Sequence, residues 1–420
     1  SFATLKSISK PLNPGQFDYA KYLSNLNVYH QITVPFCNLV DTKKTRHSIY
    51  SFADKIRKRI NRRLSKHNFN LEQVSIINAL LLGQRQDISQ ETFKEYRNAG
   101  AIHILAVSGL HVGILLWILN LILSPLNFLK KYGKVIKVVL LITVLWGFAI
   151  IAGLSPSVLR AVTMFSFLTI GLQLRSKTSI YNSLFISFFL LLCFAPLLVF
   201  SVGFQLSYIA VFAIVWIQPT IVKIYTPRFY VLKRLWETFT VTVAAQFGLL
   251  PLSLFYFHQF PILFFVSNLV ILPCLGIILG FGILIIILSL LNILPQWVAS
   301  AFGNCITTMN TFIRWIAQQE AFIIKNISFS WSNLLVSYLI IIFLILLCKK
   351  YSKKRLYFIV FSVISLLCIR LYQKHKASNF TELILFHNQR NTVLGIVENQ
   401  KMQVYSKDSI SGSTQDFLFR

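Results

Sequence analysis

The chain has 420 residues, 55% of them hydrophobic and only 13% charged, and 41 Lys and Arg face 13 Asp and Glu for a net charge of +28. So apolar a composition excludes an ordinary soluble domain, and repeated apolar runs long enough to cross a bilayer point to an all-α polytopic membrane protein. The cationic excess implies a polyanionic partner, either lipid headgroups or nucleic acid.

The chain opens on Ser1 rather than Met and is expected to be a piece of a longer protein. Residues 1–40 are mixed in character, with LNPGQFDYAKYL turning into a short helix. From Asp41 to Asn70 the segment is strongly basic, with ten Lys or Arg against two Asp. Within it SFADKIRKRINRRL spaces Phe52, Ile56, Ile60 and Leu64 four apart. Opposite that stripe lies a cationic face of Lys55, Arg57, Lys58, Arg59, Arg62 and Arg63, suited to a membrane surface or to phosphates. The plainer reading is a charged face packed on protein. Asn70 with Gln73 then predicts a capping box, and Gly83 a helix stop. That capped surface helix leads through Gly-Gln-Arg into a short polar helix. Residues 41–97 are therefore expected to be amphipathic helices on the outer membrane surface.

About ten spans are expected over residues 98–375: 101–124, 135–153, 157–174, 178–195, 201–217, 235–257, 262–291, 297–317, 331–348 and 356–371. The 262–291 run is too long for one straight span and contains Pro273, so it should break or tilt. The 297–317 run is the most polar and is a candidate for the interface instead. Four basic loops alternate with the spans: Lys130 to Lys137, Arg175 with Lys177, Lys223 to Arg234, and Lys349 to Arg355. All fall on one side, cytoplasmic by the positive-inside rule, which places both soluble ends outside. The basic helix then sits where lysines are not expected, as if to meet an anion arriving from outside. Residues 376–420 begin a β domain, with TELILFH, TVLGIVE and KMQVY alternating as short strands.

Polar residues deep in apolar runs are functional candidates. Between Arg97 and Thr381 the only acids are Glu237 and Glu320. Proton- or sodium-coupled carriers usually need buried carboxylates, and a polyanion needs a path without them. His103 and His111, eight apart on one presumed helix face, cannot chelate a single metal ion. Ser108 can hydrogen-bond His111, but no carboxylate is available to orient the histidine as in a hydrolase triad. Interhelical hydrogen bonding by these residues is the plainer alternative. Arg160, one turn into a span opened by Ser155, Pro156 and Ser157, either snorkels to the interface or pairs with a phosphate. Gln205, Gln246 and Asn268 complete a set suited to a wet cavity, and Pro251, Pro261 and Pro273 are candidates for breaking helices beside it. The six cysteines are dispersed, without a C-x-x-C pair, so no metal site or disulfide framework is expected. No cofactor motif is seen, and without a Walker-type loop any motor must be a separate protein.

LLLGQR followed by AGAIHILAVSGLHVGIL resembles the signature of the ComEC/Rec2 competence proteins. GLSPSVLRAVTM, FAPLLVFSVGFQLSYIAVFAI and TVAAQFGLLPLSLFYFHQFPILFFVSNLVILP follow in the family's order, and NPGQFDYAKYL resembles the exit from its OB-like outer domain. The resemblance implies an inner-membrane channel passing one strand of transforming DNA into the bacterial cytoplasm. Its partners would be single-stranded DNA, membrane lipids, a DNA receptor and an ATP-driven motor. The matching positions are Gly83, Arg85, Gly100, His103, Ser108, Gly109, His111, Arg160, Gln205, Gln246 and Asn268. Arg85 and Arg160 are expected to contact phosphate, the His, Ser, Gln and Asn side chains to line the path, and Gly83, Gly100 and Gly109 to be structural. Many relatives carry a metallo-β-lactamase-like domain with an H-x-H-x-D-H cluster, which this chain lacks, so nuclease activity is not expected of it. The main rival is a membrane enzyme or carrier for a lipid-linked or small anionic substrate, and a second is a scaffold that recruits other competence proteins.

Overall fold

The computed structural model describes residues 5–14, 16, 18–34, 48–173, 179–379, 381–387, 393–398 and 401–406. Arg175, Lys177 and the start of the basic segment up to residue 47 lie outside them. The chain divides into two units, one made of Ser1–Thr45 with Trp331–Arg420 and the other of Arg46–Ser330.

In the first unit β1 (Leu5–Ser7) pairs antiparallel with β2 (His30–Ile32). Between them lies the short α1 (Tyr19–Ser24), capped by the Asp18 carboxylate, which accepts the Lys21 N–H at 2.8 Å. The second unit begins with α2 (Ile49–Leu64), α3 (Leu71–Leu82) and α4 (Gln90–Asn98). It continues through α5 (Gly109–Ile122), α6 (Lys130–Ile151), α7 (Pro156–Gln173) and α8 (Ile180–Phe194). Next come α9 (Val202–Val222), α10 (Tyr230–Phe257), α11 (Phe264–Leu290) and α12 (Gln296–Ala317). A two-residue bridge, β3 (Phe260–Pro261) with β4 (Ile323–Ile324), ties the start of α11 to the segment after α12. The first unit resumes with α13 (Trp331–Lys349) and α14 (Lys353–Ser378). A three-stranded antiparallel meander of β5 (Glu382–Phe386), β6 (Val393–Glu398) and β7 (Lys401–Ser406) follows. Asn13 joins this sheet to the N-terminal segment by donating to the His387 carbonyl at 3.2 Å and accepting its N–H. The all-α core with small β pieces at both ends is as the sequence predicts.

Among the described residues six helices, α6, α9, α10, α11, α13 and α14, are long and apolar enough to cross a membrane. The four other expected spans are helical over at least part of their length but do not meet that standard. α5, α7 and α8 are shorter apolar helices, and α12 is amphipathic. The expected break at Pro273 does not occur: α11 runs unbroken for 27 residues, roughly 40 Å, so it fits a bilayer by tilting. Nor does Pro251 interrupt α10. The lysines expected in a loop at 130–137 form the opening turns of α6.

The core of the second unit gathers α3, α11 and α12 around Tyr96, Ile104 and Leu105. α3 ends as its sequence dictates. The Asn70 and Gln73 side chains accept each other's backbone N–H at 2.7 and 2.9 Å, and Gly83 takes a left-handed φ of 69°. It is not a surface helix, however, because every residue from Ser75 to Leu82 is buried. Its second half, IINALLL, has no polar face to turn outward, and Leu81 fills the space left by Gly282 of α11.

α2 keeps its apolar stripe with one change. Ala53, Ile60 and Leu64 are buried and Phe52 is exposed. At 100° per residue, position 53 lies within about 20° of position 60, whereas position 52 is about 80° away.

Candidate functional site

The break in regular structure falls at residues 101–108. α4 ends at Asn98, and Gly100 turns the chain at φ 72°. A Cβ there would lie 2.6 Å from the Cβ of Phe264, so only glycine lets the turn seat on α11. The Ser267 hydroxyl fixes the same turn by donating to the Ala99 carbonyl at 2.6 Å. Residues 101–108 then form a turn and a bend rather than helix, while Ala101, Ile104, Leu105 and Val107 are buried. No helix runs through this link, so His103 does not share a helix face with His111 as expected, although the two imidazoles stand near enough to interact electrostatically.

Helix begins only at Gly109. α5 has 14 residues, roughly 21 Å, and cannot cross a core of about 30 Å. Its first turn lies against α7, where an Arg160 terminal nitrogen sits 2.8 Å from the place a Gly109 Cβ would occupy. Ser108 and His111 close that turn. The Ser108 N–H donates to His111 Nδ1 at 3.2 Å, and Ser108 Oγ is 3.0 Å from the same nitrogen. Nδ1 is therefore the acceptor and Nε2 carries the proton, and Nε2 is buried without a partner. The pair works as a helix cap, with no acid behind it to make a base of the imidazole.

Arg160 is 4% exposed, which rules out snorkelling. Its Nε donates to Ser207 Oγ at 2.6 Å, and its guanidinium carbon lies 5.6 Å from the Tyr208 ring centre. The Tyr208 hydroxyl is in turn 3.0 Å from Ser187 Oγ. Among the described residues no carboxylate pairs with Arg160. A desolvated cation costs several kcal/mol in such a place, and a cation–π contact returns only about 2 kcal/mol. A buried guanidinium therefore stands beside the first turn of a helix, where an anion would offset its charge.

The other candidates separate. Gln205 is spent locally, donating to the Val199 carbonyl at 2.9 Å and accepting from the Tyr256 hydroxyl at 2.8 Å. Asn268 is buried with Oδ1 unpaired, and Gln246 is half-buried on α10. No hydrogen bond joins Gln205, Gln246 or Asn268 to Arg160. Arg85 is exposed in the turn after α3. Gly83 is required where it stands, since a Cβ would meet the Ala152 carbonyl oxygen at 2.5 Å.

The cationic face of α2 also divides. Arg57 donates from Nε to the Ile151 carbonyl at 2.7 Å, capping the C-terminal end of α6, and is thus a structural residue. Lys58 pairs with Asp54 at 2.8 Å, and Arg63 donates to the Asn292 side chain. Lys55, Lys58, Arg59, Arg62 and Arg63 line a concavity of about 550 Å³ together with Lys66, which follows α2 and is not on the expected face.

Sequence reasoning also missed a polar cluster joining α3, α4 and α12. Arg314 Nε donates to Glu95 at 2.8 Å, and its terminal nitrogen lies 3.4 Å from Glu72. Asn310 donates to Glu72 at 2.9 Å and accepts from the Tyr96 hydroxyl at 2.8 Å. Burial, with Glu72 and Glu95 nearby, raises the Tyr96 hydroxyl well above the ordinary phenol range, so it stays a donor. Arg314 in an otherwise uncharged run was the one available signal. Replacing Tyr96 with Phe should strand the Asn310 acceptor and cost about 1–3 kcal/mol, read as a lowered melting temperature in detergent. An unchanged value would remove this bond from the ties holding α4.

A family model described as competence protein matches residues 80–351, which include α4, the 101–108 link and all of α5 to α12. The chain is 29% identical over 330 residues to ComE operon protein 3 of Bacillus subtilis, covering 76% of this chain and 40% of that protein. It is 27% identical over 291 residues to Recombination protein 2 of Haemophilus influenzae, covering 66% of this chain and 35% of that protein. An uncharacterized protein of Aquifex aeolicus is 35% identical over 138 residues, 32% of this chain and 30% of that one. The chain thus spans well under half the length of each of these relatives, and no solved structure matches it. With its family signature matched over more than half its length and its apolar helices of membrane-crossing size, the chain is an integral membrane protein that belongs to the competence protein family.

Proposed function

We propose that the chain forms the channel that carries one strand of transforming DNA across the bacterial inner membrane. The observation that carries this reading is Arg160, buried without a carboxylate and aimed at the start of a helix too short to span. Half-helices that begin inside a bundle present their free N–H groups to anionic substrates. A phosphodiester would complete both charges there, with Ser207 and Tyr208 holding the guanidinium in place. Lys55, Arg59 and Arg62 on α2, with Lys66 just after it, would gather the strand by counterion release, so capture should weaken as salt rises.

The division of labour follows the chain: residues 1–40 end an outer OB-like domain, 41–97 collect, 98–375 conduct, and 376–420 begin a second β domain. Both soluble ends lie outside the cytoplasm on this reading. Partners are single-stranded DNA, membrane lipids, a DNA receptor and a separate ATP-driven motor. The chemistry asked of the chain is binding and guidance, with no catalytic step, metal or cofactor. Labelled DNA offered to a strain deleted for this gene should stay outside the cytosol. Cytosolic label equal to that of the parent strain would sink the channel reading.

A further inference from the structure

α12 is an anomaly among the helices of this chain. It has 22 residues, roughly 33 Å, enough to span a bilayer. One face is buried through Val298, Phe302, Ile306, Met309 and Ile313. The opposite face exposes Ser300, Asn304, Thr308, Thr311 and Gln318, polar and uncharged, with Trp297, Ala301 and Trp315 among them and Cys305 at its edge. The threonine hydroxyls donate back to carbonyls four residues earlier, Thr308 to Asn304 and Thr311 to Thr307, both at 2.9 Å. The Asn304 amide has no such outlet, and in hydrocarbon it would be left unpaired at high cost. A helix lying in the headgroup plane would carry lysines and arginines on its polar face. α2 has them and α12 does not, since its one cation, Arg314, is held by Glu95 and Glu72.

Two neighbours say what the face serves. At its start, Arg63 of the cationic helix donates to Asn292, and His67 Nδ1 lies 3.2 Å from Gln296. Toward its end, Phe312 and exposed Trp315 stack with ring centres 6.1 Å apart, beside Thr307, Thr308 and Thr311 in an open concavity. A cationic collector, a neutral hydroxyl and amide wall, and an aromatic platform on which bases can stack follow one another along one surface. A neutral wall neither repels phosphates nor holds them.

We propose that the Ser300–Asn304–Thr308–Thr311 face of α12 is a wall of the aqueous path, along which the single strand slides from the basic helix to the Phe312–Trp315 pair. This rests on the channel reading, and native Cys305 supplies the probe. The full-length protein in its own membranes would carry Cys305 alone, or a single cysteine introduced as T308C or I277C. Ile277 is exposed on apolar α11 and serves as the lipid-facing control. A membrane-impermeant trimethylammonium methanethiosulfonate should modify Cys305 and T308C about tenfold faster than I277C, because only a wetted thiol ionises and reacts. Added oligothymidylate should slow both. Rates equal to the control would overturn the proposal, as would Cys305 cross-linking between copies, which would make the face a self-contact. The rates are read without uptake, so a dry face and a failed channel, seen as unchanged uptake in the deletion strain, are separate results.

Discussion

Replacing Arg160 with Met should lower transformation by about ten- to a hundredfold, with the protein still present in the membrane at its normal level. The size follows from losing one charge-assisted contact to phosphate, about 1.5–3 kcal/mol, at 1.4 kcal/mol per decade. Folding should tolerate the change. Met matches the length of the Arg stem and removes the cost of a desolvated cation, while only the bond to Ser207 and the contact with Tyr208 are given up. Arg160→Lys keeps the charge but loses the planar fork, and should fall between the two. Transformation frequency with an immunoblot of membranes checks both. Normal frequency in the Met variant would take Arg160 out of the strand's path.

Replacing Gly100 with Val should sharply lower the yield and the melting temperature of the folded protein. Left-handed backbone costs an L residue about 1–2 kcal/mol, and a β-branched side chain tolerates it worst. The added carbon would also stand 2.6 Å from the Phe264 Cβ and 3.2 Å from its Cα, so backbone must move. Overpacking of that kind adds about 1–3 kcal/mol, against a total stability of about 5–15 kcal/mol. Gly100→Ala should be milder but still damaging. Yield of monodisperse protein after detergent extraction, with its melting temperature, should rank Gly above Ala above Val. A Val variant as abundant and stable as the parent would mean that the turn does not pack on α11 as described.

Both effects centre on residues 100–109, where reading by sequence and folding in space part company. The apolar run from 101 to 124 looks continuous, and hydropathy alone cannot see that its first third is held out of helix by Gly100, the Ser267 hydroxyl and α11. Ser108 and His111, three apart, announced their own contact, because that spacing is local. Their lack of an acid was equally legible. Arg160 was legible as a candidate but not as a buried one, since burial depends on α5 and α9 arriving from 50 residues away on either side. By sequence Arg57 reads as a surface contact for phosphate or membrane and Gln205 as a path residue, because side-chain type does not reveal the carbonyls of Ile151 and Val199 that they satisfy.

By itself the sequence determined the all-α membrane class, the positions of the helices, the capping box and glycine stop of α3, the basic helix and the family. These depend on composition and on contacts within four or five residues, which the chain carries wherever it goes. Only tertiary structure decided that α3 is buried, that α11 passes through Pro273 unbroken, and that Glu72, Glu95, Asn310 and Arg314 meet. It also decided which face of α12 is left polar and open. Those outcomes turn on which helices pack together, and burial and pairing between distant segments are properties of the packing rather than of any one stretch.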